Sequence, residues 1–435
     1  MSKVLSAESI TAIARQTGFI RRDTKIDAMI FLKMLFFDHL QDDQPSLQQH
    51  AAGIYDDANV KVSKQAIDKR FNANAVEFIK KLFENFLNQS LQRKPIASEL
   101  VKLFAGIRIM DSTEFKLPGN LATEFPGYSE SGTAACAAIQ FEYDAISRQI
   151  KYMTLENARV SDKTYADQRM DNIKAGELII RDLGYYSVDS YEKIEKQEAF
   201  YISRLKSQVA IYEKTKKGYQ PLSWPKIIKL IKKCKEKCFD KTVYIGSQQK
   251  KKVRLMAWLL DEQAQKQRLK KKQNKKGSLS EQDKIWSQLN VFITNIAFEI
   301  ITPQQAYDLY TIRWQIELIF KIWKSILKID HVRKMKAERF KCYLYSKLLW
   351  VLLCWDITSG FEPIIWKGNS KLISFFKCYA LLKSKIMRLK EILFYNAQQL
   401  RLWLNAMFKK FIDFGLKENK KNRKKVEKIL QFTEQ

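Results

Sequence analysis

IRIMDSTEF (residues 107–115) and AACAAIQFEYDAISRQIKYMTL (134–155) decide the architecture of this chain. In the first, a strand-like run from Ile107 to Met110 ends at Asp111, the pattern of a strand with a carboxylate at its tip. In the second, Ile139, Phe141 and Tyr143 alternate with Gln140, Glu142 and Asp144, which predicts a strand with one apolar and one polar face. A short turn around Ser147 then leads to a third strand, Gln149 to Leu155. Three consecutive strands joined by short connections predict an antiparallel meander.

Downstream, a helix is expected near Ser161 to Asn172, with Ser161 as N-cap, followed by the short apolar strand Leu178 to Arg181, which ends on Asp182. A helix over Val188 to Gln197 and a strand over Ala199 to Leu205 complete the run. Three strands, helix, strand, helix, strand is the order of an α/β, ribonuclease-H-like mixed sheet, in which carboxylates gather at neighbouring strand ends and on a later helix. The roughly hundred residues between Leu205 and Tyr310 exceed what a compact domain needs for a connection. The expected division is a catalytic core at 101–205 and 290–335, interrupted by a beta-rich insertion at 206–289. Strands are expected there at Thr242 to Ser247 and Val253 to Leu260, with Val291 to Ile296 returning to the core. Residues 1–100 and 336–435 carry only helical periodicity, so all-helical regions flank the core, the last of them basic.

The later helix is YTIRWQIELIFKIWK (310–324). At about 100° per residue, Tyr310, Arg313, Glu317 and Lys324 fall within roughly 60° of one another, while Ile312, Ile316, Ile319 and Trp323 form a separate core face. A carboxylate flanked by a phenol, a guanidinium and an ammonium suits a metal ion held beside a phosphate. Asp111, Asp182 and Glu317 together could hold two Mg²⁺ ions for phosphodiester cleavage, with Mn²⁺ as a substitute.

Charge points to the same chemistry. Lys and Arg number 77 against 47 Asp and Glu, a formal net charge of +30, which calls for a polyanionic partner. With 46% hydrophobic and 12% aromatic residues the chain can pack several domains, which excludes a disordered polybasic tail as its main character. The most apolar run, Leu348 to Trp355, is too short to span a bilayer and reads as buried helix. The first residues show no signal-peptide pattern and the six cysteines are scattered, so a cytoplasmic, nucleoid-associated location is expected.

LIIRDLGYYS (178–187), SRLK (203–206) and the Tyr-Arg-Glu-Lys spacing, with QTGFIRR (16–22) and SKQAIDKRF (63–71) near the start, together resemble the DDE transposases of the insertion-sequence-four family. The resemblance spans about residues 8 to 355. It implies a bacterial enzyme that binds terminal inverted repeats in double-stranded DNA, cleaves the element ends with divalent metal, and joins the 3′ hydroxyls to target DNA, working as a dimer in a synaptic complex. It also implies that Asp111, Asp182 and Glu317 are the metal ligands, and that Tyr310, Arg313 and Lys324 handle phosphates and terminal nucleotides. Some relatives stack a flipped base on a tryptophan of the insertion; Trp258 and Trp286 lie in that region, and neither matches a motif for the role.

Plainer readings compete. Asp144, also at a strand end, is a rival ligand, and Asp162 at a helix start fits a helix-dipole partner. Lysine runs at 250–252 and 270–276 read as DNA-backbone contacts. The helices from Ser63 to Leu91 are either a helix-turn-helix using Lys69, Arg70 and Lys80 or Lys81, or a packing bundle. Cys234 and Cys238 lack the second pair a zinc site needs, and His39, His50 and His331 form no cluster. Two rival functions remain: an inactive DNA-binding relic, and a ribonuclease-H-type nuclease without strand transfer.

Overall fold

The computed structural model of the chain describes residues 5–41, 44–89, 99–128, 134–185, 188–234, 238–248, 250–394 and 396–418. Ten strands among them join into one mixed sheet: β1 (Gly106–Leu117), β2 (Ala135–Asp144), β3 (Ile150–Asn157), β4 (Glu177–Arg181), β5 (Phe200–Arg204), β6 (Ile211–Thr215), β7 (Gly218–Pro221), β8 (Cys238–Ile245), β9 (Lys251–Leu259) and β10 (Leu289–Thr294). Their order is β3-β2-β1-β4-β5-β10-β9-β8-β6-β7. Strands β1, β2 and β3 pair antiparallel, whereas β4 and β5 run parallel to β1. That half is the ribonuclease-H-like sheet expected from the order of elements.

The insertion does not form a sheet of its own. β10 pairs antiparallel with β5 on one side and β9 on the other, so the inserted strands extend the core sheet without a break. Pairing between strands so far apart in sequence leaves no local signature.

Helices α1 (Ala7–Gln16), α2 (Ala28–Gln41), α3 (Leu47–Ala58), α4 (Lys64–Arg70) and α5 (Ala73–Asn88) form the first module, and the single turn α6 (Glu99–Lys102) leads into β1. α7 (Asp162–Asp167) and α8 (Val188–Lys196) are the crossovers within the core. α9 (Trp224–Lys233), α10 (Glu262–Lys276) and α11 (Glu281–Ser287) belong to the insertion. α12 (Pro303–Thr311) and α13 (Trp314–Leu327) follow β10, and α14 (Ala337–Asn369), α15 (Phe375–Ser384), α16 (Ile386–Ile392) and α17 (Ala397–Phe414) complete the described chain.

One hydrophobic core joins α13, α14 and the N-terminal helices to the sheet face carrying Ile107, Ile109, Phe141 and Ile180; another gathers Ile179, Tyr191 and Tyr201 with Trp224, Ile227 and Leu255 of the insertion. α13 lies over β2, where Phe141 meets Trp323 edge-on at 5.0 Å between ring centres. Both faces of β2 are therefore buried, including the face expected to be polar. Its charge is matched internally: Arg108 Nη2 lies 2.7 Å from Glu142, and Arg108 Nη1 lies 3.2 Å from Glu177.

Leu348 to Trp355 is fully buried, as expected, but belongs to a 33-residue helix. Among the described residues α14 is one helix long and apolar enough to cross a membrane, contrary to the sequence expectation. Most of its apolar stretch is instead covered by protein, with Trp350 against Phe36 and Tyr345 against Phe83.

The Ser63 to Leu91 run breaks at Phe71 and Asn72, and Asn72 caps α5. Arg70 is not turned outward as a phosphate contact. Its guanidinium sits 4.0 Å over Phe19 and donates to the Ile26 carbonyl at 2.8 Å, tying α4 to the loop after α1. His50 is buried between Asp38 and Tyr343, which explains it structurally; the His39 side chain and residues 419–435 lie outside the described positions.

Candidate active site

β1 and β4 run parallel and stay in register through Met110 and Arg181. The next residues, Asp111 and Asp182, therefore stand side by side, and the alternation of a strand turns both toward the face that α13 covers. Glu317 comes down on them from the first turn of α13. Asp111, Asp182, Glu317, Arg313 and Lys324 line a single cleft of about 640 Å³, together with Ser112, Phe320, Lys321, Ser325 and Asp330.

The expected continuous helix through Tyr310 and Lys324 is two helices. Between α12 and α13, the amides of Ile312, Arg313, Gln315 and Ile316 bond three residues back instead of four. This tightened turn leaves Tyr310 on α12 and Arg313 at the head of α13. Tyr310 is accordingly set behind Asp182: its ring packs on Phe292 at 4.7 Å and its hydroxyl lies 3.5 Å from Asp182 Oδ1. Burial raises the Tyr310 phenol above its ordinary range.

Arg313 stands among the carboxylates. Nη1 donates to Asp111 Oδ2 at 3.1 Å and Nη2 donates to Glu317 Oε1 at 2.6 Å. Side-chain exposures of 15% for Arg313, 19% for Asp111 and 34% for Glu317 leave these bonds largely shielded from water. Burial works against the guanidinium charge, but Tyr310, Asp182, Asp111 and Glu317 outweigh it and hold Arg313 protonated. Asp111 fares differently. Burial pushes its carboxyl up to about 6, against the Ser112 N–H and Arg313, with Asp182 and Asp162 adding repulsion.

Carboxylate oxygens alone suit a hard cation, and Asp111, though pushed up to about 6, is still mostly ionised at neutral pH. Among the described residues, no three Asp, Glu, His or Cys side chains close up into a ligand set. Arg313 stands in that space and sets the separation of Asp111 from Glu317.

Lys324 reaches across to β1 and donates to the Glu114 carbonyl at 2.9 Å. Asp144 stands apart from the cleft: its carboxylate accepts from the Ile107 and Ile146 amides and the Ser147 hydroxyl, so it caps the β2–β3 turn. Asp162, read as a helix-dipole partner, faces inward and accepts from Gln140 at 3.1 Å. Asp330, whose Oδ1 is buried with no hydrogen-bond partner, also lines the cleft. Sequence reasoning missed it because it lies on the loop after α13, outside any strand end or periodic face.

In the insertion, Trp286 stacks edge-on against Trp224 inside the local core. Trp258 lies on the site's side of the sheet, against Phe292 and Tyr307. Of the first lysine run, Lys250 covers the Tyr212 ring and Lys251 pairs with Glu195, so two of the three are engaged within the protein. In α10, Lys266, Lys270 and Lys271 are exposed while Lys272 pairs with Asp283. Cys234 is exposed and Cys238 buried, which points them to different surroundings.

Comparison with known proteins adds the family. The transposase DDE domain matches residues 102–353, more than half of the chain. The chain is 31% identical to the transposase of insertion sequence IS1151 from Clostridium perfringens, covering 97% of this chain and 93% of that protein. It is 28% identical to the IS231F transposase of Bacillus thuringiensis subsp. israelensis, over 99% and 94% respectively. Among solved structures, a piggyBac transposase synaptic complex with hairpin DNA aligns over 94% of this chain and 83% of its own, with 9% identity and a TM-score of 0.49. With its DDE domain and its full-length likeness to insertion-sequence enzymes, the chain belongs to the DDE transposases of the insertion-sequence-four family.

Proposed function

We propose that this transposase carries out cut-and-paste movement of its own element. It would bind the terminal inverted repeats, hydrolyse a phosphodiester at each end and join the freed 3′ hydroxyls to target DNA. The observation that supports this best is the convergence of Asp111 from the middle of β1, Asp182 just past the end of β4 and Glu317 from α13 on one cleft that also holds Arg313 and Lys324.

Asp111, Asp182 and Glu317 would hold the ions. Two Mg²⁺, or Mn²⁺ in their place, would supply activation of the attacking oxygen and stabilisation of the leaving oxygen in an in-line displacement. Around them, the chain's own groups set the geometry. Tyr310 backs Asp182, while Arg313 and Lys324 offer cationic hydrogen bonds to phosphate oxygens. In the first step water attacks phosphorus and a 3′ hydroxyl leaves. In the second that hydroxyl attacks a target phosphodiester, one P–O bond forming as another breaks. Pairing two ends calls for a dimer, and the substrate places the enzyme on the nucleoid in the bacterial cytoplasm. The exposed α10 lysines are the best-placed backbone contacts in the insertion, and Trp258 is better placed than Trp286 to meet a displaced base.

The test is incubation with Mg²⁺ and a plasmid carrying the gene's own flanking DNA, beside Asp182→Ala and Glu317→Gln, with breaks mapped to the nucleotide. Breaks at the repeat ends with joined products, lost in both variants but with DNA binding retained, support the proposal. Binding without metal-dependent breaks would leave a DNA-binding relic, and breaks without joining a simple nuclease.

A further inference from the structure

The turn after Asp182 is held from the far side of the sheet. Leu183–Tyr185 makes one 3₁₀ turn, and within it Gly184 is pressed against Asp162. A Cβ added at Gly184 would lie 2.9 Å from Asp162 Oδ2 and 3.7 Å from Asp162 Cβ. Gly184 is not among the glycines with positive φ, so it is lack of space that calls for glycine here, and Asp162 takes that space.

The same carboxylate is tied to the turn a second way. Asp162 Oδ1 accepts from Gln140 Nε2 at 3.1 Å, and Gln140 Oε1 accepts from the Tyr185 hydroxyl at 3.2 Å. Gln140 and Tyr185 are both almost fully buried, so the bond between them does not compete with bulk water, while Asp162 holds its end of the chain from a half-buried position. The amide orientation is fixed by its neighbours, since a carboxylate can only accept and the Tyr185 hydroxyl needs an acceptor. A carboxylate serving only the dipole of the six-residue α7 would gain nothing from facing inward.

We propose that Asp162 is a positioning residue of the catalytic site: it wedges against Gly184 and, through Gln140, against Tyr185, and so fixes the turn that aims Asp182 into the cleft. The inference rests on the transposase reading of that cleft. It also accounts for the Asp-Leu-Gly-Tyr order: the acid does chemistry, the glycine leaves room, and the tyrosine locks the turn.

The experiment is single-turnover cleavage, with Mg²⁺, of a labelled duplex carrying the DNA that flanks the gene. Duplex affinity and the thermal unfolding midpoint are measured on each variant. Asp162→Ala is expected to slow cleavage by about 10- to 100-fold, as a misplacement near 1 Å does, with affinity and unfolding midpoint unchanged. Asp162→Asn should recover most of the rate, because the amide has the same shape and its oxygen still accepts from Gln140. Gly184→Ala should be slow, and the double variant Asp162→Ala/Gly184→Ala faster than the product of the single defects, because the Cβ then has room. A wild-type rate in Asp162→Ala, an Asp162→Asn as slow as Asp162→Ala, or strict additivity in the double variant would each overturn the proposal. Should Asp162→Ala unfold, the Asn and Gly184 variants decide. Glu317→Gln runs alongside: if it cleaves normally, the reading of the cleft has failed; if it is dead while Asp162→Ala is normal, only the positioning role falls.

Discussion

Arg313 Nη1 lies 3.1 Å from Asp111 Oδ2, joining residues 202 positions apart in sequence at the centre of the cleft. The other oxygen of Asp111 accepts from the Ser112 amide at 3.0 Å, so each oxygen of this proposed ligand already accepts one bond. An incoming cation and the Arg313 guanidinium must therefore compete for the same carboxylates. Arg313→Gln is expected to tighten Mn²⁺ binding several-fold in the absence of DNA, measured by calorimetry, while weakening the hold on DNA. Unchanged ion affinity would show that Arg313 and the ion occupy separate places.

Asp111 should leave a mark on the pH dependence of folding. Its native carboxyl titrates at about 6 against 3.8 ordinarily, so the unfolded chain ionises first as pH rises. Stability is then unaffected below about pH 4, falls between about 4 and 6, and stays lowered above that. Raising the carboxyl from 3.8 to about 6 corresponds to something on the order of 3 kcal/mol. Asp111→Asn should flatten this fall and unfold at higher temperature at pH 8 in chelator. Parallel stability curves for the two proteins from pH 4 to 8 would refute the assignment.

Two buried arginines on the same sheet should respond oppositely to removal. Arg108 neutralises Glu142 and Glu177, so Arg108→Met strands two buried carboxylates and should cost about 3–5 kcal/mol. Arg181 is equally buried, yet its Nε and Nη2 have no hydrogen-bond partner, and burial lowers its pKa. Arg181→Met should be neutral or stabilising by about 1–4 kcal/mol. Denaturant unfolding of both variants checks the contrast; a large loss in Arg181→Met would mean a partner for that charge.

Lys324 is half-buried in the lining of the cleft and donates to one backbone carbonyl. Lys324→Ala is expected to weaken duplex binding and to reduce the slope of log affinity against log salt by about one. Titrations at several salt concentrations measure it, and an unchanged slope would return Lys324 to a solvent-facing role.

Much of the core was legible because a strand pattern that stops on a carboxylate is conspicuous, as at Leu178 to Asp182, where β4 ends. Asp111 was found by the same pattern, but β1 does not stop there: it continues to Leu117 against β2, and Asp111 stands mid-strand, level with the end of β4. The helix from Tyr310 was misjudged because its spacing fits one continuous cylinder. Only the hydrogen bonds reveal the three-residue turn at Ile312 and Arg313. Arg70 was read as a surface cation because its partners, Phe19 and Ile26, are more than forty residues away. Asp162 had a sequence signal, a carboxylate after a capping serine, but the capping role explained it too well. Its contact with Gly184 exists only once β2 and β4 share a sheet.

The unbroken sheet has a mechanical consequence. From β4, which carries Asp182, to β8 in the insertion is four hydrogen-bonded steps, or roughly 19 Å at about 4.8 Å each. No loop separates these strands laterally, so the insertion cannot swing on a hinge relative to the carboxylates. On the proposed function it would work as a fixed ruler: a duplex gripped at its outer strands would be held at a set distance from the carboxylates, and the position of the cut would be measured by counting strands.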